Sequence, residues 1–130
     1  MLLLNSFFIV NCSDSTSNDD GSLEGIWLLT KVTYTVPIYG SIVEYPEEEG
    51  YSVHLTIRDD HTYTTIESSG DYSDTTNGTW STSGNNLTIY EEGEDPMETE
   101  YSVKGDKLKI VMDVDFGDVI VPSTNEFTRQ

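Results

Sequence analysis

After Gly21 the chain alternates short runs rich in Thr, Val, Ile and aromatic side chains with clusters of Gly, Asn and Asp, at a spacing of roughly a dozen residues. That rhythm confines it to short strands joined by tight links, and tight links leave sequential neighbours only antiparallel pairing. Strands are predicted over 25–36, 51–58, 61–68, 70–74, 78–83, 86–92, 98–104, 107–115 and 118–129. In the second of these Tyr51, Val53, Leu55 and Ile57 alternate with Ser52, His54, Thr56 and Arg58, a period of two with one dry face and one wet. Turns are expected at Asp59-Asp60-His61, Asn77-Gly78, Gly84-Asn85-Asn86, Gly105-Asp106 and Phe116-Gly117-Asp118, whose residues tolerate positive φ at small cost.

One hairpin is echoed within the chain. Trp80-Ser-Thr-Ser-Gly84-Asn-Asn-Leu87-Thr-Ile89 aligns with Tyr101-Ser-Val-Lys-Gly105-Asp-Lys-Leu108-Lys-Ile110, each an aromatic strand, a Gly turn and a Leu-x-Ile strand. Repeating one hairpin is how an up-and-down meander is built. Alanine, the best helix former, is absent, while eight Tyr, four Phe and two Trp suit a pleated surface. A meander of about eight strands without covering helices exposes its edges unless it closes on itself. The expected fold is therefore all-β, a small antiparallel meander closed into a barrel.

Charge narrows the partners. Six Lys and Arg against 24 Asp and Glu give a formal charge of −18, which repels phosphate backbones and anionic lipid head groups, so nucleic acid is excluded as a partner. The 130 residues have room for one domain. A lone cysteine leaves no intrachain disulfide, so burial and ladder hydrogen bonds must hold the barrel.

That cysteine ends an apolar stretch. Met1 to Val10 reads Met-Leu-Leu-Leu-Asn-Ser-Phe-Phe-Ile-Val, too short to span a bilayer and long enough for the apolar region of a signal peptide. Ile9-Val10-Asn11-Cys12 resembles a lipobox, in which cleavage precedes a cysteine carrying diacylglycerol. No Lys or Arg opens the stretch, so an earlier start is expected. Ser13 to Gly21 is polar and acidic, unsuited to packing, which favours a tether over a buried N-terminal strand. The organisation expected is a signal peptide over 1–11, a lipidated Cys12 with a flexible tether over 12–21, and a barrel over 22–130. Its address would be the cell envelope, on the outer membrane or cell surface, touching the membrane through the anchor only.

Leu23-Glu24-Gly25-Ile26-Trp27, at the opening of the first strand, resembles the Gly-x-Trp of lipocalins. Together with Asn77-Gly78-Thr79-Trp80, the two Gly-turn-Leu hairpins and the ending Asn125-Glu126-Phe127-Thr128-Arg129-Gln130, it is similar to the lipocalin-like domain of Bacteroidetes-type lipoproteins. The resemblance covers about residues 22–130. It implies that Gly25, Trp27 and Arg129 close the barrel structurally, with the late basic side chain packed over the tryptophan, a favourable cation–π arrangement. The acidic residues after Cys12 are also similar to the surface-export signal of such lipoproteins.

Chemistry is harder to find. His54 and His61 are the only candidate bases, and no Gly-x-Ser-x-Gly elbow supplies a nucleophile. The runs Glu47-Glu48-Glu49 and Glu91-Glu92-Gly93-Glu94-Asp95 beside Pro46 and Pro96 read as solvated loops. Asp113 to Asp118 resembles the start of a calcium loop but lacks the terminal bidentate Glu, so a hairpin end is expected. No catalytic residue, metal or cofactor is expected. The most informative segment is the connection 36–46, which carries Ile38, Tyr39, Ile42, Val43 and Tyr45 with no charge before Glu44. Since the first connection of a lipocalin-like barrel is the lid over its mouth, these five are the candidate mouth residues. The function expected is binding, of a small apolar ligand at the mouth or of a protein partner. The alternative is a filled barrel acting as an accessory subunit of a surface assembly, and a connected apolar cavity would separate the two.

Overall fold

The computed structural model describes residues 22–130. Nine strands and one short helix follow in the order β1 (Gly25–Val36), β2 (Gly40–Glu44), α1 (Pro46–Glu49), β3 (Tyr51–Ile57), β4 (Thr62–Ser69), β5 (Tyr72–Ser83), β6 (Asn86–Glu91), β7 (Met97–Lys104), β8 (Lys107–Asp115) and β9 (Ile120–Arg129). All neighbours pair antiparallel from β3 to β9, and β9 returns to β1 with Trp27 opposite Arg129 and Tyr34 opposite Ser123. That last ladder closes an eight-stranded barrel and leaves β2 as an extra strand. Closure satisfies the edge that an open meander would present to other chains.

The far edge of β1 is divided between two partners. Gly25 to Leu28 pair with β3, whereas Val32 to Val36 pair with β2. Between them β1 bulges at Thr30, whose hydroxyl donates to the Glu126 carbonyl at 3.2 Å and lies 3.0 Å from the Thr128 hydroxyl. The bulge keeps Trp27 and Leu29 on one side of it and Val32 and Tyr34 on the other all facing inward, opposite Arg129, Phe127, Asn125 and Ser123 of β9. The helix fills the corner where β2 hands the edge to β3. Its Pro46 is buried, and Gly50 ends it at φ 87°.

Two parts of the predicted layout change. The strands expected at 70–74 and 78–83 are one strand, β5, and Asn77-Gly78 lies inside it opposite Thr64 and Tyr63 rather than in a turn. The glycine is there for space: a Cβ at Gly78 would collide with the Tyr90 carbonyl oxygen and stand 2.7 Å from the Tyr63 ring. The connection 37–46 is likewise no plain loop, since Gly40 turns the chain at φ 84° into β2 and a hairpin with β1.

Alternation does the rest. Inward residues Trp27, Leu29, Val32, Leu55, Ile57, Tyr63, Trp80, Leu87, Val103, Leu108, Ile110 and Phe127 form one buried cluster, joined by Leu23 ahead of β1. The start of β1, the end of β9 and the β3–β4, β5–β6 and β7–β8 links gather at one end of the barrel. The β1–β2 hairpin, α1 and the β4–β5, β6–β7 and β8–β9 links form the other.

Candidate functional site

The first end is shut by two tryptophans. Trp27 is fully buried, and its indole N–H donates to the Leu23 carbonyl at 3.0 Å. The guanidinium carbon of Arg129 sits 4.2 Å from the Trp27 ring centroid. Its nitrogens donate to the Glu24 and Ser22 carbonyls at 3.0 and 2.7 Å. Gly25 is required twice over: its φ is 148°, and a Cβ there would stand 2.6 Å from Arg129 Nη1. Trp80 donates its indole N–H to the Arg58 and Thr62 carbonyls at 3.0 and 3.2 Å. The His61 ring lies 4.8 Å from the Trp80 ring, and its Nδ1 is 3.1 Å from the Trp80 carbonyl oxygen. His61, at φ 71°, is thus spent on a turn, and His54 is exposed on the outer face.

Above this floor the barrel is hollow. A cavity of about 460 Å³ is lined by Leu29, Leu55, Tyr63, Trp80, Leu87, Ile89, Ile110 and Phe127, with Thr65, Thr76 and Asn125 higher up. That volume lies within the range of small-molecule sites, and the mixture of apolar walls with a few polar groups is typical of them. The exposed members of the lining are Glu67, Glu91, Glu94, Asp95 and Met97. Because all five stand at the second end, the cavity meets solvent there. Period two explains the gradient: along β4 the inward positions read Tyr63, Thr65, Glu67, and along β6 Leu87, Ile89, Glu91. Each strand runs from apolar floor to acidic rim.

Phenols line the flanks. Burial, reinforced by the charge of Glu91, raises the pKa of the Tyr63 hydroxyl above its ordinary value. At the β1–β2 hairpin Glu44 accepts from Tyr34 at 3.1 Å and from Tyr51 at 3.5 Å. Burial first, and then the Glu44 charge, pushes Tyr51 up to about 12 and raises Tyr34. Tyr34 also meets Phe116 of the β8–β9 link edge-on, ring centroids 6.0 Å apart, so this flank of the open end is covered by aromatic side chains.

The five hairpin residues singled out in the sequence do not line this cavity. Ile38 and Tyr39 project from the hairpin tip, 92% and 80% exposed, and Ile42 and Val43 are half exposed on β2. Register puts Ile42 and Glu44 on the face of the hairpin that carries Tyr34 and Val32. Tyr45 instead lines a shallow cleft of about 600 Å³ on the outer wall, with Leu28, Thr30 and His54, where the β1 edge changes partner. Asp115 accepts the Gly117 N–H at 2.8 Å and closes a turn. Among the described residues no group of three or more His, Cys, Asp or Glu side chains is placed to hold a metal ion. Cys12, the segment 1–11 and the tether 12–21 lie outside the described residues.

The apolar wall of the cavity is legible in the strand pattern, whereas its acidic rim is not. Glu91, Glu94 and Asp95 read in the sequence as a solvated charge run, and Glu67 as one polar residue of an ordinary strand. The available signal was Glu67 itself, a charge at an inward position of β4. A model of the lipocalin-like domain family matches residues 23–118, which takes in β1 to β8. No curated protein and no solved structure matches the chain.

Proposed function

The chain belongs to the lipocalin-like domain family, and from that premise we propose that its barrel is a carrier for a small, largely apolar ligand held inside the open end. The observation that supports the reading is the cavity of about 460 Å³, walled by aliphatic and aromatic side chains and reaching solvent at one end. A barrel of eight strands can be filled by its own side chains or can hold one small ligand, and this one keeps space for a ligand. Catalysis is not proposed: neither histidine touches the cavity, and among the described residues its lining has no serine or cysteine to act as a nucleophile.

The lipobox-like Ile9-Val10-Asn11-Cys12 and the polar stretch after it support an exported carrier anchored by lipid on Cys12 in the cell envelope. Ser22, the first described residue, lies at the floor end of the barrel, opposite the mouth. One observation favours a second reading, that of an accessory subunit. Ile38, Tyr39, Phe116 and Ile120 are well exposed near the open end and would suit a protein partner.

Titration with the neutral fluorescent probe N-phenyl-1-naphthylamine tests the carrier. The folded protein should bind it, and Ile89→Trp, which fills the cavity from β6, should weaken binding about tenfold or more while leaving the β-sheet spectrum unchanged. A folded wild type that binds no probe would hand the case to the accessory reading.

A further inference from the structure

We infer that the ligand is an amphipathic cation, with an apolar body in the barrel and a protonated amine or quaternary ammonium group at the rim. This rests on the carrier reading and adds to it the charge of what is carried. The site is the cavity; the carboxylates decide only which ligand suits it. Glu67, Glu91, Glu94 and Asp95 line it, and no Lys, Arg or His does. Among the described residues none of those four carboxylates has a hydrogen-bond or salt-bridge partner. The β4–β5 ladder sets Asp74 directly opposite Glu67, a like-charge pair that destabilises a sheet unless a cation sits nearby.

Depth matters as much as sign. The floor of Leu29, Trp80, Leu87 and Phe127 would strip water from a charge without replacing it, so the apolar part goes down. A cationic head left at the rim keeps part of its hydration and gains attraction from unpaired carboxylates. An anionic amphiphile meets the same field with the opposite sign. A bare metal ion is the poorer occupant, because the carboxylates are not gathered into a ligand set.

Decylamine, decanol and decanoate share one chain length and differ in charge at pH 7, so their binding to the full chain, read by calorimetry, isolates the charge. Decylamine should bind about tenfold or more tightly than decanol at low salt, decanoate more weakly than either, and the preference should shrink in about 0.5 M salt. The double variant Glu91→Gln/Glu94→Gln should lose most of the preference. Glu98→Gln/Glu100→Gln, which removes equal charge from positions outside the lining, should keep it. Decanol binding as tightly as decylamine would overturn the inference and leave the carrier standing. Equal loss in both double variants would also overturn it, by assigning the effect to the whole acidic surface. Binding of none of the three to the folded protein would remove both readings together.

Discussion

At the scale of single residues, the Gly25, Trp27 and Arg129 arrangement carries more than its size suggests. Trp27 has no exposed surface, and truncating a tryptophan in such a setting costs about 3–5 kcal/mol, so Trp27→Ala should lower the denaturation midpoint sharply. Arg129→Ala removes two hydrogen bonds to carbonyls and a cation–π contact at a half-buried site, for a loss of about 1–3 kcal/mol. The double variant should be less destabilised than the sum of the two; additive losses in urea unfolding would mean the pair does not interact. Tyr51 supplies a pH test. Its folded pKa of about 12 exceeds the ordinary 10.0, so the folded state holds the proton more tightly. Its contribution is complete below pH 10 and is lost as pH rises towards 12. Thermal melts across that window should fall less steeply in Tyr51→Phe than in the wild type. An equal slope would show that the Tyr51, Glu44 and Tyr34 cluster does not drive the loss.

Among the elements, what the sequence makes legible is set by whether a local pattern has one physical cause. The alternation of Tyr51, Val53, Leu55 and Ile57 reports one wet and one dry face, and β3 is found where it predicts. Gly78 has two readings, a turn residue or a gap for a neighbour, and only the position of Tyr63 across the ladder decides between them. The hairpin strand β2 is short and exposed on most of its residues, so it shows no buried face from which to read it. Glycine substitutions separate the two roles. Gly78→Ala should cost about 3 kcal/mol through steric conflict. Gly70→Ala, at φ 61° with open space around it, should cost about 1 kcal/mol through backbone strain alone. Similar losses in denaturant unfolding would contradict the assignment of Gly78 to packing.

For the whole molecule, closure between β1 and β9 was foreseeable, because an acidic, helix-poor meander has few other ways to cover its edges. The cavity was not foreseeable. It depends on how far opposite walls stand apart, which no local pattern encodes, and its acidic rim comes from β4, β6 and the β6–β7 link, brought together only by the barrel. Ile38, Tyr39, Ile42, Val43 and Tyr45 stand out in the sequence as apolar residues in the first connection, a property that serves a lid, a hairpin or a partner surface equally. The anchor belongs to this scale too: made with a complete signal peptide, the protein should partition into detergent and Cys12→Ala should not, whereas equal partitioning would reject the lipid.

The central claim is that a ligand sits inside the barrel, and intermolecular nuclear Overhauser effects from bound N-phenyl-1-naphthylamine to the protein methyl groups locate it directly. The account predicts contacts to Leu87, Ile89 and Ile110 in the cavity wall. Contacts confined to Ile38, Ile42 and Val43 of the β1–β2 hairpin, with none to the wall, would contradict it.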